Sequence, residues 1–426
     1  MPIVKTVADC ARVCVVETER FKTASIKVAM ALPMTSNLSA NALLIYLLKR
    51  SCKKYPRFAT LCGKLDELYG AAVSAGVAKS GEAQVLEFGI TCIDDRFALE
   101  KGESIIAQCA ELLADMLFDP NCENGRFDEQ SVETEKRLLR QRIEEEINDK
   151  RVFARNRCEQ IMCSGEAYGK NKYGTVEEVE AVTPEDIYEA WQNVIKSAVF
   201  MITAVGSASG EKIASIFESR FAGISRQPVI PETQFIAKAG KFRRVNEEFR
   251  VNQGKLVMGL RAGMQNKDDC YPAEVIMTDL FGGNVYSKLF LNVREKLSLC
   301  YYCWARFISR KGIVLVDCGI DTCNEKKATA EILAQLDDMR NGNFTDEDIA
   351  ASKMGMRERW MSSVDSPTGI CSWYNSMVLD KELRSPEELV LQLENVTREE
   401  ICAAAKRMSL ETVYMLSALQ EDADEN

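Results

Sequence analysis

The side chains able to do chemistry in this 426-residue chain are carboxylates, thiols, amines and hydroxyls. It has 64 acidic residues, 54 basic residues and 16 cysteines, and no histidine at all. That absence removes the usual general base, proton shuttle and commonest metal ligand together. The chain alone cannot assemble a Ser-His-Asp triad, a Cys-His dyad, an H-E-x-x-H zinc site or a Cys2His2 finger. Cys300-Tyr-Tyr-Cys303 is the one C-x2-C pair. Without a second pair or a histidine at zinc spacing it makes no metal site. Two histidine-free nucleophiles stay open: Cys300, and Ser209 with Lys212 in SGEK. The SGEK stretch follows an apolar strand-like run and reads better as a helix start.

The bulk composition bounds the rest. The apolar fraction is 46% and the charged fraction 28%, ordinary for a folded protein. At about 150 residues per domain the length suggests two to three domains. A formal charge of −10 argues against nucleic acid and anionic membrane as partners. No run approaches the roughly 18 apolar residues of a membrane span. The N-terminal MPIVKTVADCARVCVVETER lacks the apolar region of a signal peptide. Sixteen cysteines in 426 residues are far too sparse for a disulfide scaffold. We therefore expect a reduced, cytoplasmic protein whose thiols serve mostly as small core residues.

The elements that must position any site repeat. Thr183-PEDIYEAW and Thr397-REEICAAA both open with an N-cap threonine followed by acids. Each leads into an apolar run, Ser197 to Gly206 and Glu411 to Gln420, at the same offset of 214 residues. Earlier, the strand-like runs after Gly81 and Gly312 reach Phe88-Gly-Ile and Cys318-Gly-Ile, and each precedes an amphipathic helical pattern. The chain thus reads as an α+β protein of two homologous repeats. Each repeat is expected to be a mixed or antiparallel sheet with helices on one face. The expected boundaries are 1–225, a linker at 226–249 where RQPVIPETQ and the charged KFRRVNEEFR lie, and 250–426.

The second repeat holds the most specific stretch, Phe281 to Phe307. Gly282, Gly283, Ser287, Lys288, Leu289, Phe290, Arg294, Glu295, Lys296, Leu299 and Tyr301 match the G-G-x-x-S-(R/K)-L-F-x-x-x-R-E-K-x-x-L-x-Y stretch of the insulinase-like (M16) peptidase superfamily. The resemblance implies the fold of the mitochondrial processing peptidase. It also implies that Arg294 and Tyr301 face a zinc centre and bind the substrate carbonyl region. A guanidinium and a phenol are donors suited to a developing oxyanion.

The first repeat of that family carries H-x-x-E-H on a helix and a downstream glutamate as third zinc ligand. Aligned on ALLIYLLK, the two histidine positions hold Ala42 and Tyr46, and the base position holds Ile45. Arg142 falls on the third-ligand position, with Glu144, Glu145 and Glu146 as its carboxylate neighbours. Further matches, Leu68, Gly70, Ala71 and Ala75, and then Gly174-TVEEVEAVT, extend the resemblance over nearly the whole chain.

The expectation that follows is a chain with no cofactor of its own and no zinc peptidase activity alone. It would be the zinc-less subunit of a heterodimeric peptidase, supplying Arg294 and Tyr301 in trans to a zinc-bearing M16 relative acting on a peptide. The pattern looks nearest to the members associated with the 5-aminopentanol modification of elongation factor P. The alternative is a non-catalytic peptide-binding or structural protein of the same fold.

Overall fold

In the computed structural model, residues 2–35 and 37–419 are described. In chain order the strands are β1 Ile3–Ala8, β2 Ala11–Glu17, β3 Thr23–Pro33, β4 Ala72–Ser80, β5 Ala83–Ile93, β6 Cys122–Glu123, β7 Arg126–Phe127, β8 Val199–Gly206, β9 Arg243–Phe249, β10 Gly254–Arg261, β11 Cys300–Ile308, β12 Ile313–Ile320 and β13 Ser409–Ala418. The α-helices are α1 Leu38–Leu48, α2 Phe58–Glu67, α3 Ile105–Phe118, α4 Glu129–Glu145, α5 Lys150–Met162, α6 Val176–Ala181, α7 Pro184–Ser197, α8 Gly210–Phe221, α9 Tyr271–Thr278, α10 Glu325–Asn341, α11 Asp346–Ser363, α12 Pro367–Asn375, α13 Pro386–Glu394 and α14 Arg398–Arg407.

Two compact units result. One comprises residues up to Glu144, Asn171–Glu232 and Met361–Arg384. The other comprises Glu145–Lys170, Thr233–Trp360 and Ser385 onward. The first holds a six-stranded sheet in the order β1-β2-β8-β3-β5-β4, and the second a five-stranded sheet in the order β11-β12-β10-β13-β9. The orders coincide once β1 is set aside and one sheet is reversed. β2 lies parallel to β8 as β9 does to β13, and the remaining pairs are antiparallel in both sheets.

Alternation along each strand decides what covers each face. In the first unit Ile26, Val28 and Met30 of β3 join Phe200 and Ile202 of β8 in a core built with α1, α3, α7 and α8. The intervening Ala29, Ala31, Val199 and Met201 pack on the opposite face with Ile370, Cys371 and Tyr374 of α12. The second unit repeats this. Leu256, Met258, Val314 and Val316 meet the cluster of α9, α10 and α14. Val257, Leu315 and Tyr414 meet Ala154 and Cys158 of α5. Both faces of each sheet are therefore apolar, and a single helix closes the second face. That helix comes from the far half of the sequence in each case. The compact units consequently differ from the contiguous segments 1–225 and 250–426.

The expected linker also contains a strand. KFRRVNEEFR contributes β9, where Arg243, Val245, Glu247 and Phe249 are half-buried while the residues between them are exposed. Charge along a half-solvated strand hid its period-two pattern. The repeated N-caps are present as capping boxes, Thr183 with Asp186 and Thr397 with Glu400. A buried ion cluster ties the α5 segment into its unit. Arg261 Nη2 contacts Glu166 Oε1 at 2.6 Å and Arg261 Nε contacts Glu411 Oε2 at 2.6 Å, while Lys311 Nζ also reaches Glu166. Burial pushes the Glu166 carboxyl up, but the Arg261 and Lys311 donors outweigh it and hold it below the ordinary carboxylate range.

Candidate functional site

Arg294 and Tyr301 stand on either side of a tight turn in the second unit. Residues 289–296 wind wider than an α-helix. Leu297 N–H donates to the Asn292 carbonyl five residues back at 3.1 Å, and Leu299 N–H to the Val293 carbonyl at 3.0 Å. Such widened turns recur at functional sites because they re-aim side chains. Leu289 and Val293 anchor the segment in the core, and the Phe290 ring lies 6.1 Å from that of Trp304 on β11. Ser298 takes a left-handed conformation, φ 50°, and reverses the chain into β11.

β11 closes one end of its sheet. Its register to β12 slips between Cys300, opposite Ile320, and Tyr302, opposite Gly319. Tyr301 is the extra residue of that bulge, and its side chain is thrown outward, with 63% of the residue exposed. The Arg294 guanidinium stacks 4.5 Å from the Phe290 ring and lies 3.4 Å from Glu295. Its side chain is 39% exposed. Neither functional candidate is absorbed into the core.

The glycine pair before this segment has a steric reason. A Cβ on Gly282 would meet the Ala305 backbone nitrogen of β11 at 2.7 Å, so only glycine lets the two backbones approach. Buried Asp279 holds the turn. It accepts from Asn284 Nδ2 at 2.6 Å, Ser352 Oγ at 2.7 Å and Arg359 Nη2 at 3.1 Å. Asp279, Ser352 and Arg359 escaped the sequence reading, because Ser352 and Arg359 lie about seventy residues away and no local spacing links them. The anchor's one sequence signal is the acid three residues before the glycines.

Behind Tyr301 lie three thiols. Cys318 Sγ is 2.7 Å from Cys303 Sγ. Hydrogen bonds with Cys303 and Cys318 favour the Cys300 thiolate, burial opposes it, and the Arg294 charge adds to it, so the Cys300 pKa drops to about 4. Burial pushes the other two thiols up. Cys300 packs into the apolar core, with 9% of the residue exposed. Ser209 precedes α8 and Lys212 lies on its exposed first turn, which is the helix start expected of SGEK.

The positions aligned with the zinc motif tell the opposite story. Every residue of α1 is buried, including Ala42, Ile45 and Tyr46. A helix apolar on all sides is a core helix. Arg142, from α4, stacks its guanidinium 3.9 Å from the Tyr46 ring centroid. The second and third ligand positions thus meet, but as a cation–π pair. Burial pushes the Tyr46 phenol up to about 12, and its contact with Tyr173 works in the same direction. Two alkyl groups, a protonated phenol and a guanidinium do not fit a zinc ion. Among the described residues no group of three or more Cys, Asp or Glu side chains could hold a metal ion. Asn41 of this helix pairs with Gln84 of β5, while its own Oδ1 is buried without a hydrogen-bond partner among the described residues. Asn41 Nδ2 donates to Gln84 Oε1 at 2.9 Å, and Gln84 Nε2 to the Leu38 and Lys172 carbonyls at 2.9 and 2.7 Å.

Comparisons with known proteins agree with these observations. Residues 181–356 match the family described as "Peptidase M16 inactive domain". The chain is 33% identical over 407 residues, 95% of each chain, to the "Probable inactive metalloprotease YmfF" of Bacillus subtilis. Among solved structures it resembles a conserved protein from Enterococcus faecalis V583 (TM-score 0.87, 22% identity, 99% of each chain covered). It also resembles a protease from Helicobacter pylori (TM-score 0.79, 14% identity, 98% of this chain and 99% of that one). No helix among the described residues is long and apolar enough to cross a membrane. With the duplicated sheets, the glycine turn and its Arg–Tyr stretch, and these likenesses in place, the chain belongs to the M16 peptidase family, as a homologue that lacks the zinc motif.

Proposed function

We propose that this protein is the zinc-less subunit of a two-chain M16-type peptidase of the cytoplasm. Arg294 and Tyr301 would act in trans on a peptide held at a zinc-bearing relative's metal. The observation that carries the reading is the contrast between the two motifs. Packing has filled the ligand positions Ala42, Tyr46 and Arg142 with core and stacking contacts. The Arg294–Tyr301 turn keeps both donors accessible, with the Arg294 side chain 39% and Tyr301 63% exposed. A guanidinium before the turn and a phenol on the edge strand β11 suit a substrate carbonyl whose charge develops during attack, and the strand edge suits an extended peptide.

The test is to co-purify the tagged chain with a histidine-containing M16 relative and assay the pair. Arg294→Ala is expected to lower kcat about 10²-fold, as loss of an oxyanion donor does, with one zinc per pair retained. Unchanged kcat in an intact pair would reject the catalytic reading. It would leave a non-catalytic peptide-binding or structural member of the family.

A further inference from the structure

A bulge brings three thiols to one face of the second sheet. Residues three apart on a regular strand point to opposite faces. Cys300 and Cys303 are three apart, yet both lie in the same apolar cluster, because Tyr301 is an extra residue between them. Cys300 stands opposite Ile320, and Cys303 opposite Cys318, which belongs to that cluster too. The irregularity that turns Tyr301 outward therefore also completes the thiol group.

The three sulfurs, all free thiols, differ in what they can do. Cys303 and Cys318 are fully buried, while Cys300 keeps 9% of its surface exposed. A small solute therefore meets Cys300 first. Cys303 Sγ and Cys318 Sγ touch at 2.7 Å. Directly opposite residues on antiparallel strands have Cα atoms about 4.5 to 5.5 Å apart, a span that a disulfide bridges. Hydrogen bonds from the other two thiols hold Cys300 as the thiolate, against burial and with help from Arg294. Burial keeps Cys303 and Cys318 protonated. The thiolate is the nucleophile of the group, and the most acidic thiol is also its best leaving group.

We propose that Cys300, Cys303 and Cys318 form an oxidation site for hydrogen peroxide, with Cys300 as the entry thiol and a Cys303–Cys318 disulfide as the product. The Cys300 sulfur attacks one peroxide oxygen, the O–O bond breaks, and hydroxide leaves a sulfenic acid on Cys300. The Cys303 sulfur attacks the Cys300 sulfur, the S–O bond breaks, and the departing hydroxide takes the Cys303 proton as water. Cys318 then attacks the Cys303 sulfur and expels Cys300 as thiolate, while the Cys318 proton neutralises the first hydroxide. Two thiols are oxidised, one peroxide is reduced to two waters, and Cys300 returns to its starting state. The disulfide fastens the strand that carries Tyr301 to its neighbour β12. The chemistry needs no partner chain, so it stands whether or not the peptidase reading does.

The test treats the full chain with hydrogen peroxide, quenches it in acid, unfolds it and alkylates the remaining thiols. Cleavage after Tyr301 and Tyr302 parts Cys300 from Cys303, and cleavage before Asp321 parts Cys318 from the exposed Cys323. Mass spectrometry is expected to find a Cys303–Cys318 cross-linked peptide, with Cys300 alkylated, and to lose the cross-link after dithiothreitol. Cys300→Ala with an unchanged melting curve is expected to form the same cross-link at least about tenfold more slowly, since the remaining thiols are buried and protonated. Mapping of the unaltered chain decides the product however that variant folds. The proposal is overturned if Cys303 and Cys318 stay alkylatable while Cys323 oxidises, if Cys300 ends in the cross-link, or if Cys300→Ala forms it at the unaltered rate.

Discussion

Glu274 on α9 is fully buried, and Arg407 approaches it at 3.5 Å. Among the described residues its second oxygen and the Arg407 Nε both lack hydrogen-bond partners. Burial therefore dominates, and Arg407 only partly offsets it, so the carboxyl pKa is pushed up to about 8. The folded protein keeps this proton while the unfolded chain releases it near 4.5. Stability from this group is full below about 4.5 and falls as pH rises toward about 8. Glu274→Gln mimics the neutral form. It should match the unaltered protein near pH 4.5 and become progressively more stable than it toward pH 8, read as the difference between two melting-temperature curves. Parallel curves would show that Glu274 is ionised in the fold. Nothing in the sequence around Cys270-YPAEV announces this group, because its environment is set by a helix more than a hundred residues away.

At the scale of elements, the alignment with the family's zinc motif assigns the two histidine positions to α1 and the third-ligand position to α4. Arg142 touches the Tyr46 ring, and residues 42 and 46 are one helical turn apart on one face. Restoring donors should therefore restore a site. Ala42→His, Ile45→Glu, Tyr46→His and Arg142→Glu together are expected to take up one zinc per chain, measured by equilibrium dialysis and elemental analysis. Because α1 is buried throughout, the metal-free variant should melt lower and recover with zinc. Substoichiometric uptake would mean that the backbones have drifted beyond ligand reach. The sequence showed these elements well. The strand runs after Gly81 and Gly312, the threonine caps and the glycine turn are local patterns, and local patterns survive in a linear reading. β9 did not show itself, since its Arg and Glu residues obey a strand period but read as solvent. The Asp279 anchor did not show itself either, since its partners come from α11.

At the scale of the whole molecule, the duplication was legible but the ownership of helices was not. α5 is only weakly amphipathic, and no periodicity in the sequence says whose sheet α5 and α12 cover. Residues 1–232 alone, without Met361–Arg384, should leave the Ala29, Ala31, Val199 and Met201 face uncovered. That fragment is expected to bind a hydrophobic dye and melt without a sharp transition. Fusing residues 361–384 to it should restore both properties, and a fragment that melts cooperatively without them would show the cover to be dispensable. The same arrangement imposes a schedule on synthesis. The sheet of the first unit has its last strand by Gly206, but its cover ends at Arg384, 178 residues later (384 − 206). At roughly 5–20 residues per second this leaves an apolar sheet face waiting roughly 10–35 seconds on the ribosome. The nascent chain thus passes through a long window in which a holding chaperone has a surface to grip, and slowing translation downstream of Gly206 should lengthen that association.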